Sequence, residues 1–214
     1  MLPSIINTLL MTALSLALAV PVGVLAAVYL VEYARLVRVI RLATETLSGI
    51  PSIVYGLFGY LCFVIALRWE YSMLAGVFTL AIMVLPLIER TSEEALLAVP
   101  ESYREASFGL GAGKLRTVFR IVLPSAVPGI LAGVILAVGR MAGESAALIF
   151  TAGTVPSIPK NLFSSARTLS VHLYALISEG LYTNEAYATS LVLLVMVLGI
   201  NTLSYAIAKK LSKK

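Results

Sequence analysis

An all-α, polytopic membrane helical bundle with five legible spans is the fold class that this chain predicts. Of its 214 residues, 59% are hydrophobic and 13% are charged, against about a quarter charged in a soluble domain. Five stretches approach the ~20 mostly apolar residues that carry a helix across ~30 Å of hydrocarbon. The basic residues gather in alternate loops between those stretches, the pattern that orients membrane proteins.

The spans are expected at about 5–31, 47–67, 71–88, 126–150 and 187–208, within one transmembrane domain covering 1–214. The first contains Pro21, and the second holds Cys62 in an apolar run, where it reads as a small buried hydrophobe. All are helices, because lipid-exposed backbone must bond within its own segment. The strict alternation of a membrane strand is absent.

Orientation follows from charge. Arg35, Arg38 and Arg41 follow the first span; Arg90, Arg104, Lys114, Arg116 and Arg120 follow the third; Lys209, Lys210, Lys213 and Lys214 follow the fifth. The opposite loops carry only Arg68, Lys160 and Arg167. The 32–46 and 89–125 loops and the C-terminus are therefore expected in the cytoplasm, and the 151–186 loop outside. An external start with five spans suggests a further span ahead of Ile5. In the outer loop, 168–177 reads as a short surface helix, with His172 as an ordinary loop histidine.

Other classes find little support. The chain has no Asp, one His and one Cys, so a protein-built metal site is not expected. The spans offer no nucleophile–base pair, which argues against an embedded enzyme. The net charge of +5 lies in loops between spans and does not form a nucleic-acid face.

The loop after the third span carries the specific signal. Thr91–Val99 and Glu101–Leu110 read as two short helices separated by Pro100, with Gly109, Gly111 and Gly113 as stops. These glycines do not make a phosphate loop. Such a loop needs G-x4-G-K-[ST] after a strand, whereas Phe108 and Leu115 stand at the decisive places and a helix precedes. A helical hairpin needs far fewer residues, so the length suggests a docking element for a cytoplasmic partner.

Within this loop, Glu105-Ala106-Ser107 is followed by three residues, Gly111, nine residues, and then Ile121-Val122-Leu123-Pro124. This resembles the EAA loop of ABC importer permeases, E-A-A-x3-G-x9-I-x-L-P, with Ser107 as the one departure. Ser48–Gly59 and Gly139–Leu148 resemble the phosphate-uptake (PstA-type) branch of that family. The resemblance implies a type I ABC importer permease (MetI-like) core in a bacterial or archaeal plasma membrane. It implies that Glu105, Ala106, Ser107, Gly111, Ile121, Leu123 and Pro124 couple the chain to an ABC ATPase. It also implies a second permease chain, an external phosphate-binding protein, and ATP and Mg held by the ATPase, with no cofactor on this chain; the alternative reading is a permease of the same fold for another oxyanion or small solute.

A substrate path is expected at Arg140, Glu144, Ser52 and Tyr55. Arg140 and Glu144 are four apart, so one helix face would carry both. A charge at that depth faces a cavity or a partner. Two readings stand: a structural Arg140–Glu144 pair, or an arginine fork for an oxyanion that Glu144 holds between turnovers. Gly49-Ile50-Pro51 either unwinds the second span to bare amides beside Ser52 or simply starts a helix. Gly129/Gly133 and Gly139/Gly143 read as close-packing pairs.

Overall fold

The computed structural model describes residues 1–33, 37–180 and 182–211. Arg35, Lys213 and Lys214, counted among the loop charges, lie outside the described residues. The described residues are mostly helical and contain no strand.

In chain order the helices are α1 (Leu2–Glu32), α2 (Val37–Ser48), α3 (Ser52–Gly59), α4 (Met73–Leu97), α5 (Glu101–Gly109), α6 (Lys114–Thr117), α7 (Leu123–Ala142), α8 (Ala146–Thr151), α9 (Leu169–Glu179) and α10 (Thr183–Leu211). Wide π-type turns extend α3 over Tyr60–Ala66 and join α6 to α7 over Val118–Val122. Four helical stretches are long and apolar enough to span: Leu2–Glu32, Met73–Leu97, Lys114–Ala142 and Thr183–Ala206. Arg38–Ser48 with Ser52–Ala66 makes a fifth if that interrupted pair is one span.

Several expected boundaries move, each for a local reason. The 32–46 segment is not a loop: α2 covers Val37–Ser48, with Arg38, Arg41 and Glu45 at helical spacing. The second span does not begin at Leu47, because the helix breaks at 49–51 and Pro51 precedes α3 in an extended conformation (φ −59°, ψ 142°). The third span does not stop at Ile88. Helix α4 continues to Leu97, so no separate helix begins at Thr91. The fourth span does not reach Phe150: α7 ends at Ala142, and α8 restarts at Ala146.

The chain forms two compact units. The first comprises Met1–Leu18, Ile50–Val84 and Val138–Thr202. Its core holds Met11, Leu80, Met83, Met141, Leu148 and Leu169. The start of α1 ties down the segment that leads to α9. Asn7 Nδ2 donates to the Ser157 carbonyl (3.0 Å) and the Arg167 carbonyl (3.2 Å), and Leu169 N donates to Thr8 Oγ1 (2.9 Å). Trp69 stacks on Phe63 at 5.3 Å and meets Phe78 and Phe163 edge-on.

The second unit comprises Ala19–Gly49, Leu85–Ala137 and the residues from Leu203. Ala27, Val28, Leu96, Val99, Val118, Val122, Ala126 and Ile130 form its core. Arg41 of α2 pairs with Glu93 of α4. Helices α4 and α7 touch at small residues. A Cβ on Gly133 would lie 1.9 Å from Thr91 Oγ1, and one on Gly129 would lie 2.6 Å from Ala95 Cβ. This gives the 129/133 pair its expected packing role.

Gly133→Leu is expected to destabilise the chain by about 1–3 kcal/mol through overpacking. Thr91→Gly in the same chain should return part of the loss. Thermal unfolding in detergent measures both, and a Gly133→Leu chain that melts like the wild type would contradict this packing.

Candidate functional site

The second unit positions the 101–124 motif. Pro100 precedes α5, and Glu101 stands in its first turn, where the helix dipole favours an acid. Gly111 closes the helix at φ +79°. Its N–H bonds the Phe108 carbonyl (2.9 Å), and Ala112 N bonds the Ser107 carbonyl (3.1 Å). These bonds satisfy carbonyls that a helix end otherwise leaves bare.

Glu105 and Ala106 are exposed, as are Tyr103, Phe108 and Leu110. Leu110 is 89% exposed. Tyr103, Ala106 and Leu110 share one face by their spacing, so a short polar helix presents an apolar stripe. Ser107 faces inward, and its hydroxyl meets Thr117 Oγ1 at 2.8 Å, both buried. The departure from the family's alanine is thereby explained: the hydroxyl finds a partner across the turn. Ser107, Gly111 and Ile121 line one cavity of about 280 Å3 with Arg116 and Arg120. Leu123 packs on the apolar core, and Pro124 is exposed.

What holds α5 in place is not legible in the motif's spacing. Arg104 is 9% exposed, and it donates to Glu32 Oε1 at 3.1 Å across 72 residues of sequence. Only the pairing of two ionisable residues at the edges of apolar runs hinted at it.

The first unit positions the path residues. Arg140 sits half-buried in the last turn of α7 and makes no hydrogen bond or ion pair among the described residues. The expected Arg140–Glu144 pair is not formed. Glu144 lies beyond the end of α7, so the two do not share a helix face. Its Oε1 instead accepts from Ala147 N (3.1 Å) at the start of α8, and its carbonyl accepts from Ser170 Oγ. Tyr55 is buried on α3 and lies within electrostatic reach of Arg140. Ser52 is the half-buried first residue of α3, one turn before Tyr55.

Asn201 was also missed. A Cβ on Gly139 would lie 3.4 Å from the Asn201 amide, whose Oδ1 is buried without a partner among the described residues. A lone amide in an apolar span was the available signal. In position and chemistry, an uncompensated guanidinium with a buried tyrosine nearby suits an anion.

His172 stands in α9, the short helix expected over 168–177, but it is not an ordinary surface histidine: its Nδ1 is buried and unpartnered among the described residues. Burial, and then the Arg167 charge, hold its imidazole below the ordinary histidine value. The unfolded chain therefore binds a proton that the folded chain refuses as pH falls through about 6.5. Stability contributed by neutral His172 is present above that value and lost below it. The melting midpoint is expected to drop between about pH 7 and 5.5, and to drop less in His172→Gln. Melting curves across that range check the sign.

The comparisons with known proteins agree with this architecture. The family model described as binding-protein-dependent transport system inner membrane component matches residues 19–214. The probable ABC transporter permease protein YqgI of Bacillus subtilis is 37% identical over 227 residues, covering 97% of this chain and 77% of that protein. The phosphate transport system permease protein PstA 1 of Mycobacterium tuberculosis is 35% identical over 200 residues, covering 91% of this chain. The chain spans 66% of the length of that relative, just under two thirds. Among solved structures, a chain of the MetNI methionine ABC transporter in an inward-facing conformation superposes with a TM-score of 0.75. It covers 98% of this chain and 93% of that one at 20% identity, a likeness of fold.

Proposed function

We infer, because the chain belongs to the family of binding-protein-dependent transport system inner membrane components, that it is the multi-pass permease of an ATP-driven importer for inorganic phosphate. The observation that carries the solute is Arg140, a half-buried guanidinium in a span without a counter-ion among the described residues. An unpaired charge in lipid costs at least ~2.5 kcal/mol. A planar fork of donors recovers that cost when it meets a phosphate oxyanion. Relatives named as phosphate permeases support the same solute.

The mechanism follows from the two sites. The exposed face of α5, with Glu105 and Ala106, takes an ABC ATPase, which holds ATP and Mg. Ser107, Gly111, Ile121, Leu123 and Pro124 keep that helix at its angle. Closure of the ATPases moves α5, the spans rock, and phosphate released by an external binding protein passes between this chain and a second permease. The 89–125 segment and the C-terminus face the cytoplasm, a placement supported by twelve basic residues against three in the opposite loops.

Uptake of labelled phosphate by cells with and without the chain tests this reading, with arsenate and sulfate as competitors. Phosphate uptake that requires the chain and resists sulfate is the expected result. Chain-dependent uptake of sulfate in place of phosphate would reassign the solute within the same fold. Uptake that ignores the chain would overturn the reading.

A further inference from the structure

We propose that Arg104 is the positioning residue that makes the coupling helix α5 move as one body with the adjoining ends of α1 and α4. The inference rests on the reading of α5 as the ATPase-facing helix. All three guanidinium nitrogens of Arg104 are engaged. Nε donates to Glu32 Oε1 at 3.1 Å. Nη1 donates to Glu101 Oε2 at 3.2 Å and to the Val99 carbonyl at 3.3 Å. Nη2 donates to the Leu96 carbonyl at 3.3 Å.

These acceptors belong to three segments. Glu32 is the last residue of α1, Leu96 and Val99 are at and just past the end of α4, and Glu101 begins α5. Both carbonyls lie at a helix end, where backbone donors run short and the dipole is negative; Leu96 has only a long bond from Val99 N (3.4 Å). A cation there is favoured twice over.

The joint is closed to water. Side-chain exposure is 11% for Arg104 and 9% for Glu32. Leu96 and Val99, whose carbonyls Arg104 binds, belong with Val28 and Val118 to the unit's apolar core. Ion pairs in such a setting are screened little. The Glu101 carboxylate is 70% exposed and adds little. Lys114, which follows α5, is exposed and also reaches the end of α1. Its Nζ donates to the Glu32 carbonyl and lies 4.6 Å over the Tyr33 ring.

The mechanical consequence is direct. A force on the exposed Tyr103–Ala106–Leu110 face of α5 has two outlets. The helix either rolls about its own axis or drags what it is tied to. Rolling requires breaking at once the three bonds that tie this arginine to segments outside α5, those to Glu32, Val99 and Leu96. The displacement therefore passes to α1 and α4. Lysine carries the charge but not the fork, and it reaches one segment at a time.

The test uses the whole importer, with its ATPase and second permease, in lipid vesicles supplied with phosphate-loaded binding protein. Phosphate moved per ATP hydrolysed is the readout, together with the amount of ATPase that copurifies. Arg104→Lys and Glu32→Gln are expected to retain the ATPase and its basal hydrolysis, while phosphate per ATP falls about tenfold. Glu101→Gln should leave the ratio unchanged. Glu32→Gln should add nothing to Arg104→Ala, because the two act as one link.

An Arg104→Lys importer that keeps both its ATPase and the wild-type ratio overturns the proposal. So does loss of the ATPase from Arg104→Lys, which would make Arg104 part of the docking surface. Effects of Glu32→Gln and Arg104→Ala that multiply would also overturn it. An unaltered importer that moves no phosphate removes the underlying reading, and this inference with it.

Discussion

Arg140→Ala is expected to cut phosphate uptake about a hundredfold, the loss that follows from removing charge-assisted hydrogen bonds to an anion. It should do so without destabilising the permease. Arg140 is half-buried in the last turn of α7 and has no partner among the described residues. Its charge therefore costs free energy in the span that no described contact returns. Alanine relieves that cost, so melting in detergent should hold or rise while transport collapses. A structural arginine predicts the opposite sign for melting. Arg140→Lys should fall between the two, since one ammonium offers a point charge but no planar fork. Glu144→Gln separates the neighbouring carboxylate from this role. Glu144 accepts from Ala147 N at the start of α8, and glutamine keeps an acceptor there. Its uptake should stay within about threefold of wild type, in keeping with a modest change at a helix cap. Uptake assays and melts on the same variants decide the matter; wild-type uptake by both Arg140 variants would remove the anion role.

The sequence made the spans legible because burial in lipid leaves a plain signature of about 20 apolar residues. It was less informative about where helices end, because polarity ends a hydropathy run without ending a helix. Arg90, Thr91, Glu93 and Glu94 closed the third apolar stretch, yet α4 runs through them to Leu97. There Arg90 bonds Glu94 one turn on. The reverse error occurred at Gly143. Small residues kept the fourth stretch apolar while the backbone left the helix after Ala142. That break is why Arg140 and Glu144 do not meet, although four residues apart on paper. The motif from Glu105 to Pro124 was legible because its spacing is local. Its anchor was not, because Glu32 and Arg104 are 72 residues apart. Nothing in a single sequence distinguishes one Glu–Arg pairing from another at such a distance.

Gly111→Val should abolish ATP-driven uptake, and the reason lies in the backbone alone. Gly111 adopts φ +79°, and a Cβ built there meets no atom within 4 Å. Crowding therefore does not explain why glycine stands at this position. The left-handed conformation does: it costs an L-residue about 1–2 kcal/mol, and a β-branched one more. The strain falls on the turn that presents Leu110 and closes α5, so relief comes by unwinding the face offered to the ATPase. Asparagine visits this conformation readily, so Gly111→Asn should retain most uptake, with Gly111→Ala between the two. Copurified ATPase should follow the same order, Gly, Asn, Ala, Val. If Asn fails as badly as Val, the open space above Gly111 is what the ATPase needs, and the position acts as a contact surface. If Val works like wild type, the turn does not set the angle of α5, and the motif's glycine has no part in coupling.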